Sequence, residues 1–151
     1  MNKTFATNRK ANFEYILEDK LEAGIMLTGS EVKSVRDCKA SINEAFVGAR
    51  KGELFLINAN ISKYNKANIE NHKETRYRKI LLHKNEINKL LGKLKISGYT
   101  IIPLKLYLNN RNKIKLEVAL ARGKKQHDKR ESIKERDWNR EKSRLLKSKF
   151  H

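Results

Sequence analysis

The segment EAFVGAR-KG-ELFLINANI, residues 44–61, constrains the fold more than any other stretch. Two runs rich in β-forming residues meet through Lys51-Gly52, and the glycine supplies the positive φ that a tight hairpin turn requires. A hairpin commits its strands to antiparallel pairing, so the rest of the chain has to extend or cover that sheet. YTIIPLKLYLN, the turn NRN and KIKLEVALA read as a second hairpin. Pro103 inside its first strand marks an edge or a bulge, because proline has no N–H for the ladder. FEYILED from Phe13 and EAGIMLTG from Glu22 read as two further strands separated by a polar turn, and RKILL as another.

Helical signals are few. GSEVKSVRD reads as a short helix with Ser30 as N-cap and Val32 and Val35 as an apolar pair. HKNEINKLLGKLKISG is the clearest helix. Ile87, Leu90, Leu91 and Leu94 recur at i, i+3, i+4 and i+7, and Gly98 stands where a stop belongs. His83 and Glu86 have the spacing of a capping box, although histidine caps poorly. Strands do not alternate with helices, so the pattern argues against a parallel sheet. It predicts a mainly β protein, a small antiparallel OB-like barrel with two or three short helices. SKYNKANIENHKETRY, from Ser62 to Tyr77, has no periodicity and reads as an unusually long loop.

The C-terminal end obeys a different logic. Residues 124–151 carry eleven Lys or Arg against five Asp or Glu, and their large apolar groups do not form a stripe wide enough to pack. The division is therefore a barrel over 1–123 and a basic tail over 124–151. Net charge is +18 over 151 residues, with charged residues at 34% and hydrophobic ones at 38%. The barrel is itself basic, so the tail is not the only element suited to a polyanion, and nucleic acid is the commonest one. An anionic membrane is disfavoured, since there is neither a long apolar run nor a basic helix with a wide apolar face. The N-terminal residues show no apolar stretch of signal-peptide length, which predicts a cytoplasmic protein.

Chemistry is sparse. Cys38 is the only cysteine, so an internal disulfide and a cysteine cage are both excluded, and it reads as a buried or merely tolerated thiol. His72, His83, His127 and His151 show no metal-ligand spacing. His127 beside Asp128 can be drawn as an acid–base pair for RNA cleavage, but neighbours on a helix do not face each other. No cofactor, no metal and no enzymatic activity are expected. Binding signals are stronger. Tyr15, Phe46, Phe55, Tyr64, Tyr77, Tyr99 and Tyr107 interleave with Lys and Arg along the strands, a composition that suits base stacking, though a ring on a strand is ordinarily core. TNRKA, EVKSVR with Lys33 and Arg36, and TRYRK with Arg76, Arg78 and Lys79 are the cationic clusters.

NRKA, EAGIMLTGSEVKSVR, TRYRKILLHKNEI, GYTIIPLKLY and LARGKKQHDKRESIKERDW run in order along nearly the whole chain and resemble the small protein B (SmpB, or SsrA-binding) family of bacteria. The resemblance implies an OB-type barrel that binds the tRNA-like domain of transfer-messenger RNA, stands in for its missing anticodon arm and delivers it to stalled ribosomes. It assigns RNA binding to Asn8, Arg9, Lys10, Glu22, Leu81, His83 and Lys115, with His83 departing from the family's Asn and Leu81 expected to lie in the core and act indirectly. Glu22 either accepts hydrogen bonds from RNA or orients a neighbouring cation.

The family likeness also implies a tail that is disordered when free and helical in the vacant mRNA channel. There Lys124, Lys125, Lys129, Arg130, Lys134 and Arg136 would meet rRNA phosphates, Trp138, Leu145 and Leu146 would anchor, and His127, Asp128 and Arg144 belong to the same ribosome-facing tail. The expected partners are transfer-messenger RNA and the ribosome, with the protein a monomer. The rival expectation is a general single-strand nucleic-acid or ribosome-binding barrel.

Overall fold

A computed structural model describes residues 3–64 and 71–124. Chain order is β1 (Lys3–Thr7), α1 (Ala11–Glu14), β2 (Tyr15–Ile25), α2 (Gly29–Arg36), β3 (Ala40–Ser41) and β4 (Phe46–Arg50). It continues with β5 (Glu53–Ile57), β6 (Asn60–Ile61), β7 (Arg78–Leu81), α3 (Lys84–Leu94), β8 (Tyr99–Leu108) and β9 (Ile114–Gly123). The main sheet runs β1-β8-β4-β5-β7-β2-β9, and β8 also pairs with β9. All its pairings are antiparallel. The β8–β9 ladder closes β8, β4, β5, β7, β2 and β9 into a ring, and closure removes the open edges through which sheets aggregate. Inside the ring lie Val47, Leu54, Leu56, Ile80, Ile101, Leu106, Leu116 and Leu120, with Leu90 of α3 packed against the same core. The expected OB-like barrel is the fold observed.

Both hairpins form where expected. Lys51 and Gly52 have φ of 54° and 77°, the pair of positive values that matches the right-handed twist of the flanking strands. In the second hairpin the Asn109 side chain accepts from the backbone N–H groups of Arg111 and Lys113, at 3.0 and 2.9 Å, and so closes the turn. Pro103 sits at a bulge, where the β8–β9 register slips between Pro103 and Lys105.

Other boundaries differ from the sequence reading. The two strands assigned around Leu17 and Glu22 are a single strand, β2. Glu18, Asp19 and Lys20 lie at a bulge between Leu17 and Lys20, where the ladder to β9 shifts register and then resumes. Exposed polar residues at a bulge resemble a turn in sequence, since both leave ladder groups to solvent. Phe13 and Glu14 belong to α1 and not to a strand. The cap of α2 is Thr28, not Ser30: the Thr28 hydroxyl accepts from the Glu31 N–H, and the Glu31 carboxylate accepts from the Thr28 N–H. Cys38 is exposed, with a φ of 59°. In α3, Glu86 accepts from the His83 N–H at 3.1 Å.

Candidate nucleic-acid interface

The cationic words separate into two populations, one structural and one facing solvent. Arg78, expected to contact RNA, is fully buried. Its Nε donates to Glu31 at 2.5 Å, and its remaining N–H groups reach the carbonyls of Ala59 and Glu74 at 3.1 and 3.0 Å. Arg76 donates to the other Glu31 oxygen at 2.6 Å and to the Met26 carbonyl at 3.2 Å. Burial pushes the Glu31 carboxyl up, but hydrogen bonds from Arg76, the Thr28 N–H and Arg78 outweigh it and hold the group at about 2. The two arginines thus lock the start of β7 and the residues just before it onto α2. His72 adds a second tie, bonded to Ser30 Oγ at 2.9 Å and to the Ile61 carbonyl at 2.8 Å. The described part of the expected 62–77 loop is therefore anchored at a buried side chain.

Asn8 is also structural. Its side-chain amide donates to the Pro103 carbonyl at 3.0 Å, its oxygen accepts from the Lys10 N–H at 3.2 Å, and its own N–H reaches the Leu104 carbonyl. This pins the turn after β1 onto the β8 bulge, leaving the exposed Arg9 and Lys10 side chains to face outward. Lys10 pairs with Glu44, whose hydrogen bond and charge raise the ammonium above its ordinary value.

A different set converges on one groove of about 470 Å³ beside α2. Gly24 lies near the end of β2 and Leu27 just after it, Arg36 comes from the last turn of α2, Leu81 ends β7, Lys113 precedes β9 and Lys115 is its second residue. Leu81, expected in the core, is exposed. In RKIL one cation and one aliphatic residue fall on each face of the strand, and here Arg78 and Ile80 point inward. Gly24 lies opposite Leu81, and a Cβ at Gly24 would come within 3.2 Å of the leucine Cβ. Glycine is what allows that close pairing.

Glu22 stands on the same face of β2, opposite Glu117, and accepts a hydrogen bond from the Tyr107 hydroxyl. Burial, that bond and the negative charges of Glu22 and Glu117 hold the Tyr107 phenol well above its ordinary range, so it remains a donor. Register places Tyr107 opposite Lys115, and the Lys105 ammonium lies 5.2 Å from the Tyr107 ring. The sequence reading gives Tyr107 no part in supporting Glu22. Their hydrogen bond joins residues 85 apart, and no local pattern reports it.

His83 is exposed at the start of α3, two residues beyond Leu81, and does not line the groove. Lys33 lies elsewhere, its ammonium 5.4 Å from the Tyr64 ring, and Lys79 pairs with Glu53 at 3.2 Å. Lys125, His127, Asp128, Lys129, Arg130, Lys134, Arg136, Trp138, Arg144, Leu145 and Leu146 lie outside the described residues. Among the described residues no cluster of His, Cys, Asp and Glu suits a metal ion, and no helix is long and apolar enough to cross a membrane.

A family model described as "SmpB protein" matches residues 5–148. The chain belongs to the SmpB family. An SsrA-binding protein of Nitrobacter hamburgensis is 58% identical over 146 residues, covering 97% of this chain and 93% of its own. One from Rickettsia bellii is 55% identical over 147 residues, covering 97% of each chain. A solved chain described as "tmRNA-SmpB: a journey to the center of the bacterial ribosome" superposes with a TM-score of 0.66 at 42% identity. It covers 84% of this chain and 92% of that one.

Proposed function

We propose that this protein binds the tRNA-like domain of transfer-messenger RNA and delivers it to stalled ribosomes in trans-translation. The observation that carries the reading is convergence. Glu22, Arg36, Leu81 and Lys115, dispersed along a family-matched chain, come together along one groove and its adjoining strand face. Arg36, Lys113 and Lys115 set a positive field along the groove, which draws in a polyanion and fixes its register through phosphate contacts. Leu81 and Leu27 offer an apolar wall to an unstacked base or a ribose face. Glu22 carries no attraction for phosphate. Held by Tyr107, its carboxylate is suited to accept from a ribose 2′-hydroxyl or a base amino group, which favours RNA over DNA.

Association is binding without bond chemistry, so the barrel serves as a rigid adaptor. The tail begins where β9 ends, and its residues from Lys124 onward supply the cations and apolar anchors for an RNA-walled channel. The deciding experiment is recovery and sequencing of RNA that co-purifies with the full chain. Transfer-messenger RNA should dominate, and it should disappear from an Arg36→Ala/Lys115→Ala variant that melts like the parent. An unselective population of cellular RNA would overturn the reading.

A further inference from the structure

The groove occupies one side of the barrel wall, and a second feature of the same wall remains without a role. Of the five large apolar side chains exposed among the described residues, four belong to one outward face: Met26, Phe46, Tyr77 and Leu81, between 43% and 52% exposed. Leu81 stands where this face meets the groove. Strand register explains their association. Phe46 lies opposite Ile57, Gly48 opposite Phe55, and Phe55 opposite Lys79, so β4, β5 and β7 turn these side chains the same way. Tyr77 immediately precedes β7 on that face, and Met26 extends it beyond β2. At Gly48 an added Cβ would come within 2.6 Å of Ile57 Cδ1 and 3.8 Å of the Phe46 ring, so both side chains lean across the glycine. The result is a flat apolar platform.

We propose that this platform binds unpaired, single-stranded RNA at a surface separate from the groove. Three aromatic rings stand on three neighbouring strands: Phe46 on β4, Phe55 on β5 and Tyr77 at the head of β7. Adjacent strands are about 4.8 Å apart, so the rings form a series of steps across the sheet on which successive bases of an extended strand can stack. Arg50, Lys51, Lys79 and Arg76 border the platform. The carboxylates beside it are each paired with a cation: Glu53 with Lys79, Glu44 near Phe46 with Lys10, and Glu31, buried beneath Arg76, with Arg76 and Arg78. Arg50 and Lys51 at the β4–β5 turn, beside an aromatic platform in a chain of net charge +18, suit a nucleic-acid strand better than an apolar protein partner. This inference does not rest on the transfer-messenger RNA reading, because the rings that carry it, Phe46, Phe55 and Tyr77, do not line the groove and the RNA concerned has no tertiary structure.

The test uses the full chain and a fluorescent, unstructured A/U oligonucleotide of about 12 nucleotides, within the site sizes of such barrels. Phe46→Leu and Tyr77→Leu keep charge and apolar bulk while removing a ring. Each should weaken binding at least about fivefold with the salt dependence unchanged, since base stacking is removed and phosphate binding is not. An abasic oligonucleotide of the same length should bind the parent and both variants equally, and affinity for the tRNA-like domain should stay at the parental value. Tyr77 lies outside any strand, so Tyr77→Leu keeps the test valid if Phe46→Leu fails to fold. Equal oligonucleotide affinity in parent and variants would overturn the proposal. So would a parental dimer that either substitution dissolves, which would make the face an interface between copies, or a parallel loss of affinity for the tRNA-like domain.

Discussion

Two sets of basic residues flank the same short helix and meet opposite fates. Arg76, just before β7, and Arg78, its first residue, lie under α2 and grip Glu31. Arg36 and Lys115 lie along its outer side and line an open groove. Composition treats all four alike. A cation enclosed with a carboxylate and carbonyls holds the fold together, and removing its partner leaves a buried charge without compensation. A cation at a groove wall costs the fold almost nothing and is available to a ligand. Charge in this protein therefore acts in two ways, and what separates them is whether the buried Glu31 carboxylate claims the cation.

The comparison breaks first at Glu31. Glu31→Gln should destabilise the barrel by about 3–5 kcal/mol, measured by denaturant unfolding, because Arg78 would remain buried without its counter-charge. If Glu31→Gln unfolds like the parent, the buried set is not structural.

The pH dependence of stability follows with the next largest effect. The folded carboxyl at about 2 lies below its ordinary 4.5, so its stabilisation is fully present above about 4.5 and is lost as pH falls toward 2. The expected loss is on the order of 3 kcal/mol across that window, and Glu31→Gln should remove this part of the acid sensitivity. Thermal melts of parent and variant from pH 5 to pH 2 (roughly the span of the shift) check it.

On the groove side the signature inverts. Arg36→Ala and Lys115→Ala should each change stability by less than about 0.5 kcal/mol while weakening binding to the tRNA-like domain. Removing one phosphate interaction should lower the salt slope by about one. A large drop in stability with unchanged RNA affinity would put these residues in the structural set.

The smallest effect sharpens the role of Glu22. Tyr107→Phe removes one hydrogen bond and keeps the ring, so RNA affinity should fall by a fewfold, about 1 kcal/mol. In a Glu22→Gln background the same change should cost less, and the double-mutant cycle measures that coupling. Additive effects would separate Tyr107 from RNA recognition.

Much of the fold is legible in local patterns. A glycine in a two-residue connection, an i, i+3, i+4, i+7 stripe in α3 and a proline at a bulge are signals that each act where their own residues stand. Thr28-x-x-Glu31 is an equally local signal for the start of α2, whereas Ser30 has Lys33, not a carboxylate, three residues on and so cannot complete a capping box. The continuity of β2 is harder to see, because a bulge and a turn share the same polar residues. The family likeness points to Glu22, Leu81 and Lys115 without showing that they meet.

By itself, then, the sequence determined an antiparallel, basic barrel, a run rich in Lys and Arg over residues 124–151, and a kinship strong enough to name a nucleic-acid partner. Tertiary structure alone decided which charges are spent on folding. RKIL offers one cation and one aliphatic residue to each face of β7, so its alternation is equally satisfied either way round. Glu31 on α2 breaks the tie by drawing Arg78 inward, which turns Leu81 out to the groove. The residue that fixes the orientation lies 47 positions away, and only the folded chain brings it there.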